Sequence, residues 1–189
     1  MSRAVGLAAL CALTTGCGAT LKYAERWKPE APLQASVLLE VVDQRPEDEG
    51  AKNPRQVGIV RGGYGNPAPF EVAEKTLVIE TVRKALVDAL HGAGVEASLK
   101  APLTLKAKLT RFWMDGYVGY SAQVEVQLEL VDAVGVTLWS QKVEGHEAGA
   151  VFSFGAASEL LNTALAHLAS DANARFKEEA FQRFLGGPK

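Results

Sequence analysis

The sequence predicts an α+β domain, a mainly antiparallel sheet with two helices packed on one face as a two-layer sandwich. Three observations predict it. Two neighbouring segments alternate apolar and polar residues at period two; two others carry apolar residues at steps of three and four; and the elements read strand, loop, helix, three strands, helix.

The first strand is Ser36-Val37-Leu38-Leu39-Glu40-Val41-Val42, a β-branched run closed by Asp43-Gln44-Arg45-Pro46, where proline prevents simple continuation. Residues 46–70 are rich in proline, glycine and charge, and only Gln56 to Val60 can form a second short strand. The rest is a long loop, and long loops in compact domains are commonly functional or mobile. From 71 to 91, Val72, Leu77, Val78, Val82, Leu86 and Leu90 define one apolar helical stripe, with Gly92 and Gly94 beyond its end. Residues 103–113 and 120–131 alternate strictly enough that each gives a strand with one dry and one wet face. A four-residue loop between them places Lys108 across from Glu125; a two-residue turn places Lys106 there, and both registers match opposite charges. Val136 to Gly145 makes a third strand of this meander. Residues 156–176 form a helix burying Leu161, Leu165, Leu168, Ala172 and Phe176. Residues 177–189 end in Gly-Gly-Pro-Lys and read as a frayed tail.

The chain has 189 residues and a formal net charge of −2, so it offers no basic field to nucleic acid. Its start has a three-part order: Arg3 supplies positive charge, residues 4–13 are free of polar side chains, and Thr14-Thr15-Gly16 are small. That is the layout of a secretory signal segment, and it is too short to span a bilayer. Residues 1–16 are therefore expected to be removed. Cys17 would then be the one cysteine left, which excludes an internal disulfide. Residues 17–35 read either as a tether or as an arm that packs Tyr23 and Trp27 on the domain, and residues 36–176 as the single folded domain.

Leu13-Thr14-Thr15-Gly16-Cys17 resembles the lipobox of bacterial lipoproteins, although Leu13 stands four residues before the cysteine instead of three. The resemblance implies that Cys17 is lipidated and becomes the new N-terminus. Several acyl chains on one residue hold a protein on a membrane for long times. Gly18, where family members kept in the inner membrane often carry Asp, implies the outer membrane, with the domain facing the periplasm.

Signals for chemistry are sparse. The glycines of Gly58-Ile59-Val60-Arg61-Gly62-Gly63-Tyr64-Gly65 lack the Lys-Ser/Thr of a P-loop, and Pro67 and Pro69 separate them from the helix. His91, His146 and His167 have no metal-ligand spacing, and no G-x-S-x-G occurs, so neither metal, cofactor nor enzyme activity is expected. A contact surface is a better prospect. Arg111 falls on the dry parity of its strand and Phe112 on the wet one, while Trp139 shares the outer parity of the third strand. Aromatic surface could then gather on the polar face near Trp113, Tyr117 and Tyr120, unless a bulge at Arg111 returns Phe112 to the core.

Asp43-x-Arg45, the Gly58 strand, Arg61-Gly62-Gly63-Tyr64-Gly65, the helix ending Gly92-Ala93-Gly94-Val95 and the closing helix together resemble the YajG-like bacterial lipoproteins. This implies a periplasm-facing α+β module, related in outline to the N-terminal domain of TolB and to lipoprotein activators of cell-wall synthases. It implies no catalytic residues. Asp43, Arg45, Arg61 and Tyr64 match the motif and are expected either to bind a partner or to anchor the loop internally. The function expected is non-catalytic binding to an envelope protein partner, with a carrier of a small apolar or lipid ligand as the alternative.

Overall fold

A computed structural model describes residues 18–28, 35–50, 52–61, 67–72, 78–116, 119–150 and 154–186. Among these, the strands β1 (Gly18–Ala19), β2 (Ala35–Asp43), β3 (Gln56–Arg61), β4 (Pro67–Val72), β5 (Val95–Ala97), β6 (Thr104–Gly116), β7 (Tyr120–Val131) and β8 (Thr137–Gly149) accompany the helices α1 (Val78–Gly92), α2 (Phe154–Lys177) and α3 (Glu179–Gln182).

The sheet is built around β6. On one side lies the antiparallel meander β6–β7–β8. On the other side two strands share the edge of β6: β2 pairs parallel with its first half, from Leu38 opposite Thr104 to Asp43 opposite Leu109, and β3 pairs parallel with its end, from Gly58 opposite Met114 to Val60 opposite Gly116. Outward from β2 lies β5, and outward from β3 lie β4 and then β1. The sheet is thus mixed: the expected antiparallel ladders are joined by parallel pairing of β1 with β4, of β2 with β5 and β6, and of β3 with β6. β2 and β3 both run along β6 because a long excursion separates them from it, and such connections permit parallel neighbours.

Alternation in β6 and β7 sends Leu105, Ala107, Leu109, Val124, Val126, Leu128 and Leu130 inward, where α2 packs on β7 and β8 and α1 packs beside α2. The opposite face is polar. The hairpin adopts neither expected register: Arg111 stands opposite Glu125 and Lys108 opposite Gln127, with the register shifting between Leu109 and Arg111. Thr110 is the extra residue, and it resets the parity of everything after it. Phe112 therefore faces the core, fully buried.

Two other expectations are corrected. Residues 67–72 are a strand, so Phe70 and Val72 are buried side chains of the sheet and Val72 belongs to no helix; α1 is described over Val78–Gly92, and Leu77 lies outside the described residues. The strand's prolines are tolerated because β4 lies towards the edge, where missing N–H groups break few ladder bonds. Residues 179–185 are no frayed tail: α3 and a 3-10 turn after it place Phe181, fully buried, 4.9 Å from the ring of Trp139 and 5.0 Å from that of Phe176. Edge-to-face and tilted packing of this kind adds to ordinary burial.

Candidate functional site

The residues expected to form a contact surface divide into three groups. The first has been taken into the interior. Phe112 is in the core, and Trp139 is 6% exposed beneath α3, so neither supplies exposed aromatic surface. Arg45 is equally withdrawn: its guanidinium forms a bidentate pair with Asp43, Nε to Oδ1 at 2.9 Å and Nη2 to Oδ2 at 2.7 Å. It also donates to the carbonyls of Gln56 at 2.9 Å and Pro54 at 3.2 Å, and its side chain is 0% exposed. Arg45 sits where β2 leaves the edge of β6 and β3 is about to take it over. It closes that seam by serving the end of one strand and the start of the next. Asp43 and Arg45 are an internal clamp.

The second group lies outside the described residues: Tyr64, Tyr117 and the side chain of Arg61, and with them Cys17, which was expected as the lipidation site. The strands that lead to three of them, β3 towards Arg61 and Tyr64 and β6 towards Tyr117, end side by side, with Val60 opposite Gly116. The third group is Trp113, half-buried on the polar face, between Arg111, which pairs with Glu49 at 2.7 Å and Gln123 at 3.2 Å, and exposed Asp115.

A further feature was only half legible. Residues 18–28 are a strap seated across both helices. Thr20 N donates to Ser158 Oγ at 3.1 Å and Lys22 N to Asn162 Oδ1 at 2.9 Å, both on α2. The strap then crosses to α1. There the buried carboxylate of Asp88 accepts from Tyr23 Oη at 2.6 Å, Arg26 N at 2.8 Å and Trp27 N at 3.1 Å. Trp27 settles against Gly92, where an added Cβ would meet its Cγ at 2.6 Å, while Leu21 is buried. The arm reading of this segment, with Tyr23 and Trp27 packed on the domain, describes residues 18–28, and a free tether does not. A signal for the seat existed: Thr81, Ala85, Asp88 and Gly92 recur at steps of four, three and four, a second stripe of small and polar residues on α1.

Removing the carboxylate leaves two backbone N–H groups and a phenol without their acceptor. Asp88→Ala is expected to cost about 2 to 4 kcal/mol, read by urea unfolding, with hydrogen exchange in 20–28 rising towards that of an open chain. Burial, reinforced by the bond to Asp88, holds the Tyr23 phenol above its usual range. A pKa raised in the folded state means stability is complete below the ordinary tyrosine range and falls as pH climbs above it. Thermal unfolding should therefore show a loss above about pH 10 that Tyr23→Phe reduces.

Open grooves of about 190 and 350 Å³ flank the strap, the first lined by Glu25, Arg83, Lys84, Val87, Asp88 and His91. Among the described residues no group of three or more His, Cys, Asp or Glu could hold a metal ion, and no helix is long and apolar enough to cross a membrane.

No protein-family model and no curated protein matches the chain. Solved structures do. A Xanthomonas campestris protein of the DUF330 family is 15% identical, with the match covering 88% of this chain and 97% of that one at a TM-score of 0.65. PelC from Paraburkholderia phytofirmans, solved as a dodecamer, is 15% identical over 75% of this chain and 90% of that one, at a TM-score of 0.41. Lipoprotein GNA1162 from Neisseria meningitidis is 18% identical over 60% and 83%, at 0.31. The first of these likenesses shows a shared fold, and a fold alone does not assign an activity.

Proposed function

We propose that this chain is a lipid-anchored protein of the bacterial envelope that acts by binding and not by catalysis. Residues 1–16 are the export signal, Cys17 carries the acyl chains, and the α+β body faces the periplasm from the outer membrane, where it engages an envelope protein. A kinship with the YajG-like lipoproteins is part of the same reading, resting on Asp43, Arg45 and the Arg61 segment.

The observation that carries it is the order of residues at the start of the chain: the charge of Arg3, the apolar run 4–13 and the small Thr14-Thr15-Gly16 lead directly to Cys17. Gly18, the next residue, is paired in the sheet beside Glu71, so an anchor on Cys17 would be attached directly to the folded body. Packing favours a binding role over the carrier alternative. The space between helices and sheet is occupied by Leu86, Leu105, Leu109, Leu128, Leu161 and other fully buried side chains, and a lipid would need that space.

Intact-mass spectrometry of detergent-extracted protein tests the reading. A chain beginning at Cys17 with added acyl mass is expected, and Cys17→Ala should move essentially all of the protein from the membrane fraction to the soluble one. A soluble chain that still begins at Met1 would overturn it.

A further inference from the structure

We infer that the bilayer lies against the β1–β4 edge of the sheet and that the body is docked there without a free tether. This deepens the reading just given and rests on acylation of Cys17.

Gly18 and Ala19 pair parallel with Glu71 and Val72, so the residue bonded to Cys17 is part of the sheet. One peptide link, about 3.8 Å between Cα atoms, separates the acylated residue from a fixed strand. The strap beyond β1 cannot peel away readily, because it is held on α2 through Ser158 and Asn162 and on α1 through Asp88. A lipid attached through such a short link brings the membrane surface to this edge of the body. The parallel sense of β1 adds a direction: the chain enters it from the end of β4 that begins at Pro67.

The edge itself suits a lipid surface better than another strand. Where β4 runs beyond β1 it carries Pro67 and Pro69, which lack the N–H groups a pairing strand would need. Ala68 and Pro69 there are exposed and uncharged. The diagonally opposite corner is the turn between β7 and β8, with Val134 84% and Val136 54% exposed. Strand spacing and rise put it roughly 35 Å from Gly18, so it faces away from the membrane and towards the periplasm.

The test uses the full-length chain, acylated in cells, in phosphatidylethanolamine–phosphatidylglycerol vesicles containing a headgroup-nitroxide lipid. Cys11 leaves with the signal segment and Cys17 is blocked by its acyl chains, so a single new cysteine, Ala68→Cys or Val134→Cys, takes the fluorophore. Several-fold stronger quenching at 68 than at 134 is expected. Equal quenching at both positions would mean a swinging body, and stronger quenching at 134 would put the opposite corner down; either result overturns the docking. The intact mass of the same samples separates the two levels: an unacylated chain removes the anchor and the docking together, whereas an acylated chain with even quenching removes the docking alone.

Discussion

Arg45→Ala should destabilise the domain by about 3 to 5 kcal/mol without first touching any partner. The guanidinium is 0% exposed and its donors are spent on the Asp43 carboxylate and on the carbonyls of Gln56 and Pro54. Truncation leaves that carboxylate uncompensated and both carbonyls unpaired, at the place where the sheet changes from β2 to β3. The turn that brings β3 back adds its own demand. Gly50 has φ +123° and its hydrogen faces the guanidinium, so the loop is shaped around this side chain. Arg45→Lys should recover only part of the loss, because an ammonium cannot span a bidentate carboxylate and two carbonyls at once. Urea unfolding checks both variants. A loss of less than about 1 kcal/mol, accompanied by lost partner capture in cells, would return Arg45 to a surface role.

Gly145→Ala should be as damaging, at about 3 kcal/mol or more. A Cβ there would fall inside the contact shell of the Ala164 carbonyl oxygen and the Leu168 amide nitrogen, and would reach the Ala164 carbonyl carbon at 2.9 Å. These are backbone atoms of a 24-residue helix, so no side chain can rotate out of the way and α2 must lift off β8. Gly149→Ala is the control on the same strand. Its Cβ would meet only Leu160 Cδ1 at 3.3 Å, a flexible terminus, and little loss is expected. Circular dichroism melts of the two variants distinguish them, and equal melts would mean that α2 is not seated so closely.

Gly145 also marks where local reading of the sequence failed. Its glycine reads as the end of a strand, yet β8 continues to Gly149 and the residue is there for a helix that arrives later in the chain. The same limit applies elsewhere. Strict alternation made β6 and β7 legible, and the three-and-four spacing made α2 legible, because each depends on one buried face. β4 was not, since Pro67 and Pro69 mask a strand whose edge position makes them harmless. Nor were the parallel pairings of β2 and β3 with β6, which no local pattern encodes. Among the candidate contact residues, Phe112 was misplaced by a single extra residue at Thr110, and Trp139 by the three-aromatic cluster with Phe176 and Phe181 that covers it. The Asp43–Arg45 pair was recognised, but its neighbours Pro54 and Gln56, which decide its role, come together with it only in the fold.

The strap has a consequence for biosynthesis. Thr20 finds Ser158 at a separation of 138 positions and Arg26 finds Ser170 at 144, so the first residues of the body wait for the last long helix before they can seat. Closing so large a loop is slow relative to local structure. On the proposed export route, therefore, the leading end would stay open to the enzymes that trim and acylate it until completion of the far end of the polypeptide locks it away.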